Sequence, residues 1–319
     1  MKLKRQMYMN DLVFYSHTDC LLKDNGSNHP ERKERLKTIL QSIKEIKYIK
    51  IINKDAPVAD LKDIHLVHPE KYVKNMLSKI PDKGLVSVEK EPYADTFLCS
   101  NSKNAILRAC GAGIAAADDL LNNDNKKIFC CVRPPGHHAE TIRANGFCFI
   151  NNAAVCVRYL QEKFGVNKIA IIDFDVHHGN GTQEIFYNNE SVAYASIHQS
   201  PLFPGTGLEE EKGVGNIFNA PILSGTQSKE YHEIFENKIL NKIDKFKPEV
   251  IIISAGFDAH YRDPLAQINL ESHDFYIITK KIIDLSNLHS KGRTISFLEG
   301  GYDLLALHES IKEHINGLI

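Results

Sequence analysis

Six short apolar runs, separated by stretches of helical spacing or by Gly/Pro-rich loops, leave few architectures open to this chain. They are DLVFYS from residue 11, IFCCV (128–132), KIAIIDF (168–174), VAYASI (192–197), EVIIISA (249–255) and TISFL (294–298). Runs of this length and apolarity read as strands buried on both faces. Helical spacing fills most of the intervals. Residues 31–44 place Leu36, Ile39, Leu40 and Ile43 on one face behind a His29-Pro30 start. Residues 102–121, rich in Ala and Leu, read as a buried helix, and 151–163, 228–246, 272–288 and 304–315 share the periodicity. Strands alternating with helices predict an α/β fold with a mainly parallel sheet. Ligands of such sheets bind beyond the carboxyl ends of the strands. The loops RPPGHH, HHGNG, SPLFPGTG and LEGGYD, each close behind a strand run, are therefore expected to meet at one edge of a single domain.

Composition narrows the function. The 319 residues carry a formal net charge of -1, with 43% hydrophobic and 25% charged residues, which is ordinary globular usage. A disordered tail, a coiled coil and a collagen-like chain are excluded, and a broadly basic nucleic-acid binder is disfavoured. No stretch approaches the ~20 apolar residues of a membrane span. The basic start MKLKRQMYMN is not followed by an apolar run of ~7–15 residues, so no signal peptide is read. The seven cysteines (Cys20, Cys99, Cys110, Cys130, Cys131, Cys148 and Cys156) form no CxxC pair and read as buried free thiols of a reducing cytosol. There is no internal repeat, no GxSxG elbow, no Walker loop and no GxGxxG after a strand.

The segment IAIIDFDVHHGNGTQ (169–183) carries the strongest chemical signal. Asp173, Asp175 and His177 alternate at the end of a buried strand, so the period of two predicts one shared face. Three ionisable groups there are costly unless paired or bound to metal, and a metal site is favoured over three coincident caps. A third protein ligand is expected from the loop GFDAHYRDPLAQ, which offers Asp258, His260 and Asp263 without choosing among them. Such a set, with one open position, suits catalytic Zn²⁺, and Fe²⁺ or Co²⁺ by ligand type. In RPPGHHAETIRANGFC the tandem His137-His138 falls at the same sheet edge and offers general acid/base groups, with Asp173 free to orient one of them. In SFLEGGYDL, Tyr302 sits on a tight turn where its hydroxyl can donate to a developing oxyanion; packing on the strand end is an equal reading of that segment alone. Together these pieces suggest hydrolysis of an unactivated carbonyl compound by metal-bound water.

HPERKERL (29–36), RPPGHHA, GFCFINNAA, DFDVHHGNGTQ, SAGFDAHYRDPL and FLEGGYDL resemble, in order, the motifs of the histone deacetylase family. The match is closest to class II and bacterial deacetylase-like members, acetylpolyamine amidohydrolases included. The resemblance implies the single-domain arginase/deacetylase fold over residues 1–319, an eight-stranded parallel sheet flanked by helices. It implies zinc ligands Asp175, His177 and Asp263, with His138 as general base and then general acid. His137 would act electrostatically, oriented by Asp173, and Tyr302 would polarise the substrate carbonyl. The implied reaction is deacetylation of N-epsilon-acetyl-lysine in proteins or peptides, releasing acetate by attack of a metal-activated water. Gly146, Phe147 and Phe203 would line the acyl-lysine channel, with Leu270 at its rim. A structural K⁺ would take Asp173, the carbonyls of Asp175, His177 and Ile197, and the Ser196 hydroxyl. A second monovalent site would use the backbone of Phe186 and Val192.

The sequence departs from the family pattern in places. Asn180 stands where some deacetylases carry an Asp beside the second histidine, a position at which class II members resemble this sequence, and should give His138 a lower pKa than an Asp would. Gly179 replaces a further metal-binding Asp of the related arginases and disfavours a binuclear ureohydrolase site. Tyr302 is retained where some class II members carry His, and Arg262 replaces the commoner Gly. The alternative substrate is a small acetylated amine such as an acetylpolyamine. Leu270 is not the carboxylate that would attract a remote ammonium, although the neighbouring Glu271 and the acidic run Glu209-Glu210-Glu211 could be. A catalytically weak acyl-lysine binding protein is disfavoured by the full set of catalytic groups. The Lys-, Asn- and Ile-rich composition points to a bacterial cytosol, with a secreted effector as the second possibility. No direct nucleic-acid or membrane partner is expected, and monomer and dimer both stay open.

Overall fold

A computed structural model describes residues 11–89, 94–123 and 126–319. The basic stretch 1–10, weighed above as a leader, lies outside the described residues. In chain order the strands are β1 (Asp11–Ser16), β2 (Lys50–Asp55), β3 (Val86–Ser87), β4 (Phe97–Leu98), β5 (Lys127–Cys130), β6 (Ile169–Asp173), β7 (Val192–Gln199), β8 (Ile217–Ile222), β9 (Val250–Ala255) and β10 (Thr294–Leu298). Eight of them form one sheet in the order β2-β1-β5-β10-β9-β6-β7-β8, with every neighbour parallel. β3 and β4 make a separate two-residue antiparallel ribbon.

Each of the six apolar runs became a strand, and the two sheet strands they did not announce are the edges, β2 and β8. An edge strand has one neighbour and needs less apolar surface. β2 (KIINKD) is partly exposed along its length, and β8 (IFNAPI) is broken by Asn219 and Pro221. The central strands β6 and β9 are buried throughout, as expected of parallel strands covered by helices.

The long helices cover this sheet. Lys33–Glu45, Ser102–Asn122, Asn152–Phe164, Ser272–His289 and Leu304–Leu318 lie where the periodicity placed them, and 228–246 runs as two α segments joined by a π-helical turn at Phe235–Leu240. No helix among the described residues is long and apolar enough to cross a membrane. β5, β10, β9 and β6 are four consecutive strands in the middle of the sheet. Their carboxyl ends lead into the loops that carry His137-His138, Tyr302, Asp258/Asp263 and Asp175/His177.

Candidate active site

The ladder of β6 ends at Asp173, so Asp175 and His177 are not strand residues, as the period-two reading took them to be. They lie in the bends that follow. Asp173 Oδ1 accepts the N–H of Asp175 (3.1 Å), and Asp175 Oδ1 accepts the N–H of His177 (3.0 Å). Two successive side-chain-to-backbone turns of this kind wind the chain tightly, which brings Asp175 and His177 together where a strand would separate them by its rise.

Asp258, from the loop after β9, meets them there. His177 Nδ1 is 3.1 Å from Asp175 Oδ1 and 3.2 Å from Asp258 Oδ2. Among the described residues this is the one group of three whose ligand atoms all lie within 4.8 Å of one another. Asp263 is not in that group. Its Oδ2 accepts the N–H of Tyr302 (2.7 Å) and its Oδ1 that of Leu265 (3.0 Å). His260 turns away, onto Ser272 Oγ and the N–H of Arg262, and Arg262 pairs at the surface with Glu309 (3.3 Å).

The carboxyls are crowded. Burial, then Asp175, raises Asp258; burial, then Asp258, raises Asp263 to about 7. Among the described residues no lysine or arginine forms an ion pair with Asp175, Asp258 or Asp263. Crowded hard carboxylate oxygens beside an imidazole are a donor set that suits a divalent ion of the zinc type.

The tandem histidines differ in their partners. The Gly136 and His137 N–H groups donate to Glu299 Oε2 (2.8 and 3.2 Å), which fixes the loop after β5. His137 Nδ1 lies 3.1 Å from Asp173 Oδ2, which also accepts the Tyr194 hydroxyl (3.0 Å). Burial opposes the charge of His137, but Asp175 and Asp173 outweigh it and lift the pKa to about 10. His138 goes the other way. Burial, then the cationic neighbours His137 and His177, holds it well below the usual histidine range. Its Nδ1 lies 2.9 Å from Asn180 Oδ1, which leaves Nε2 as the nitrogen available to the cavity that His138 lines. The rings are 3.9 Å apart, one cationic and one neutral at pH 7. Titratable neighbours pushed apart in this way mark acid/base assignments.

Two glycines permit the approach. A Cβ on Gly181 would stand 2.2 Å from the Ala139 carbonyl, so the helix Asn180–Phe186 rests directly on the histidine loop. Gly146 has φ +51°, and a Cβ there would lie 2.5 Å from His138 Cδ2.

A cavity of about 250 Å³ opens on these groups. His138, His177, Tyr302, Gly146, Phe147 and Phe203 line it, together with Leu202, Leu265 and Asp95, which the sequence reading did not single out. Phe203 meets His138 edge-on (5.0 Å) and Phe147 meets Tyr302 (6.1 Å). Leu270 is fully buried and is not among the lining residues, because its backbone bridges to His260; Leu265 takes the wall position. Burial pushes the Tyr302 phenol up, so it stays protonated and can donate. The Arg35 guanidinium lies 4.8 Å over its ring, and Arg35 Nε donates to the Gly301 carbonyl (2.6 Å).

Asp173 and Ser196, expected at a monovalent-cation site, are register partners on β6 and β7, with Ile197 next along β7. Ser196 Oγ lies 2.9 Å from His198 Nδ1. The carbonyls of Phe186 and Val192 accept the Asn216 side-chain amide (2.8 and 2.9 Å).

Fold and site together are those of a hydrolase acting on amides. A family model described as the histone deacetylase domain matches residues 29–318. An Archaeoglobus fulgidus protein described as "Probable deacetylase" is 35% identical over 295 residues, 90% of this chain and 80% of its own length. A histone deacetylase-like amidohydrolase of Pseudomonas aeruginosa is 34% identical, covering 86% of this chain and 71% of its own. Among solved structures, an HDA15 HD domain superposes with a TM-score of 0.87 at 32% identity, over 97% of this chain and 88% of that one. An acetylpolyamine aminohydrolase from Burkholderia pseudomallei shares the fold, with a TM-score of 0.84 at 24% identity over 96% and 98% of the two chains. The chain belongs to the histone deacetylase family.

Proposed function

We propose that this protein is a zinc-dependent amidohydrolase that removes acetyl groups from N-epsilon-acetyl-lysine in proteins or peptides. The observation that carries the reading is a neutral His138, backed by a cationic His137, at a cavity walled by Phe147 and Phe203 and lined also by His177 of the Asp/His cluster. Asp175, His177 and Asp263 would hold the ion, with Asp258 orienting His177. Asp263 keeps 6% of its surface exposed and adjoins the lining residues Tyr302 and Leu265, whereas Asp258 is at 0%. A divalent ion there supplies a nucleophilic water at neutral pH and polarises the acetyl carbonyl; Fe²⁺ or Co²⁺ fits the same donors.

The remaining steps belong to the chain. His138 accepts a proton at Nε2 as general base and returns it to the leaving amine as general acid. His137, held cationic by Asp173 and Asp175, keeps positive charge beside the reacting centre and keeps His138 neutral until it is needed. The Tyr302 hydroxyl donates to the oxygen that gains charge in the transition state. The aromatic walls accommodate the neutral four-carbon stem of acetyl-lysine; the ammonium formed on hydrolysis is poorly solvated there and departs. A structural K⁺ would sit by Asp173 and Ser196.

One observation favours a second reading, a small acetylated amine. Asp95 lines the cavity and places a carboxyl where a remote ammonium could bind. The deciding experiment compares steady-state turnover of an acetyl-lysine peptide and N-acetylputrescine on metal-quantified protein, with Tyr302→Phe as control. Preference for the peptide, lost in the variant, supports the lysine deacetylase; preference for acetylputrescine replaces it with the small-amine enzyme. Turnover of neither removes the amidohydrolase reading.

A further inference from the structure

We propose that Glu140 is a positioning residue that sets which ring nitrogen of His138 carries the hydrogen, by fixing the side-chain amide of Asn180. This rests on the reading of His138 as general base given above. Asn180 Nδ2 donates to Glu140 Oε1 (2.7 Å) and lies 3.5 Å from the His138 carbonyl. Both neighbours are acceptors, so the nitrogen of the amide must face them and Oδ1 must face His138 Nδ1. An oxygen there accepts a hydrogen from Nδ1, which places the lone pair of the neutral ring on Nε2, toward the cavity.

An amide can rotate by half a turn with little change of shape. Flipped, Asn180 would present N–H to His138 Nδ1 and favour the tautomer with its hydrogen on Nε2, which cannot act as a base toward the cavity. The 3.5 Å contact to the His138 carbonyl is at the limit of a hydrogen bond, so Glu140 supplies the bias. An aspartate in place of Asn180 would need no such help, because its two oxygens are equivalent. Asn180 and the half-buried carboxylate two residues after His138 thus form a working pair.

Glu140 also stands in the β-bridge with Arg143, but that contact uses its backbone: the Glu140 and Arg143 amides and carbonyls exchange hydrogen bonds. Truncating the side chain leaves the hairpin its bonds, which separates positioning from bracing.

Four proteins test the assignment: Glu140→Ala, Glu140→Gln, Asn180→Asp and the double variant Glu140→Ala/Asn180→Asp. Glu140→Ala is expected to lower kcat by roughly tenfold or more, the range of groups that orient a catalytic side chain, with KM moving much less. Glu140→Gln still offers a carbonyl acceptor and should restore most of kcat. In the Asn180→Asp background, Glu140→Ala should cost nothing. The second readout needs no turnover: long-range ¹H–¹⁵N NMR of the histidine rings should show hydrogen on Nδ1 of His138 in the parent and in Glu140→Gln, and a shift toward Nε2 in Glu140→Ala. An unchanged tautomer in Glu140→Ala overturns the proposal. So does a kcat loss of equal size in the parent and in the Asn180→Asp background, which is the signature of bracing. Should Glu140→Ala not fold, the tautomer in Glu140→Gln and the fold of the double variant still decide it: a parent-like ring in the former supports it, and failure of the latter to fold refutes it. If no acetylated substrate is turned over, the reading of the reaction fails while the tautomer still tests the positioning.

Discussion

Glu31→Gln keeps the shape of a fully buried side chain and removes its charge from among three cations. Glu31 has no exposed surface. Its Oε2 accepts from Arg133 Nη2 (2.7 Å) and Asn25 Nδ2 (2.7 Å), and its Oε1 from Arg133 Nε and Arg35 Nη1 (3.3 Å). Burial alone would raise this carboxyl; Arg133 and then Arg35 outweigh that and hold it below the usual carboxylate range. Lys23, also buried, is lowered to about 8, chiefly by loss of water, so it sheds its proton easily if the counter-charge goes. The guanidiniums have no such escape. Breaking one partner out of a buried ion pair costs about 3–5 kcal/mol. An unfolding entropy of about 2.1 cal/mol/K per residue over 319 residues comes to about 0.7 kcal/mol/K, so Tm should fall by about 4–7 °C. Scanning calorimetry at pH 7 and fixed metal concentration measures it. A melting point within about 1 °C of the parent would refute the claim that Arg133 and Arg35 depend on this charge.

Acid should weaken the fold through buried neutral histidines. Burial lowers His68 to about 4 and His314 to about 3, so in the folded state both resist protons that the unfolded chain takes up below about 6.5. Their stabilisation is complete above that value and drains away as pH falls toward 4, at up to about 1.4 kcal/mol per pH unit for each ring; a urea midpoint that stays flat from pH 7 to pH 4 would contradict this. Chelation should abolish turnover and lower Tm. Asp263→Ala should cut metal content more than Asp258→Ala, and the reverse order would make Asp258 the third ligand. Tyr302→Phe should retain metal and raise the barrier by about 3–4 kcal/mol, the usual loss for an oxyanion donor, so undiminished kcat would remove Tyr302 from the chemistry.

What could be read from the sequence follows from what each element asks of its residues. A strand buried on both faces needs a continuous apolar run, so β1, β5, β6, β7, β9 and β10 were plain, while β2 and β8 were hidden by their polar residues. The helices were legible because covering a sheet imposes a periodic apolar face. The histidines, Asp175, His177 and Tyr302 stood out as reactive residues at strand ends, yet the path of the chain did not. A period-two rule cannot foresee that the Asp173 and Asp175 carboxylates accept the N–H groups of Asp175 and His177 and so coil the chain beyond β6. Leu265 rather than Leu270 reaches the cavity because the loop after β9 bridges back on itself at His260. Glu140 and Glu299 act through loop geometry, which leaves no trace in spacing. A carboxylate close behind the tandem histidines, and another beside Gly-Gly, were the available signals.

The thiols buried in this fold make a ready-made gauge of its breathing. All seven cysteines are buried and free. Burial pushes Cys20 to about 11 and lifts Cys130, Cys131 and Cys148 well above the ordinary thiol value. Alkylation requires both access and a thiolate, and at Cys20, Cys130, Cys131 and Cys148 the closed state disfavours both. Reaction with a small alkylating reagent therefore counts excursions out of the native state, with no label to engineer. Cys130, at the end of β5, reports rupture of the sheet interior, and Cys20, in the short helix Asp19–Leu22, reports fraying near the start of the described chain. Digestion after timed alkylation would rank these regions by opening rate. Bound ion or substrate, if it fastens the strand ends together, should slow the whole set at once.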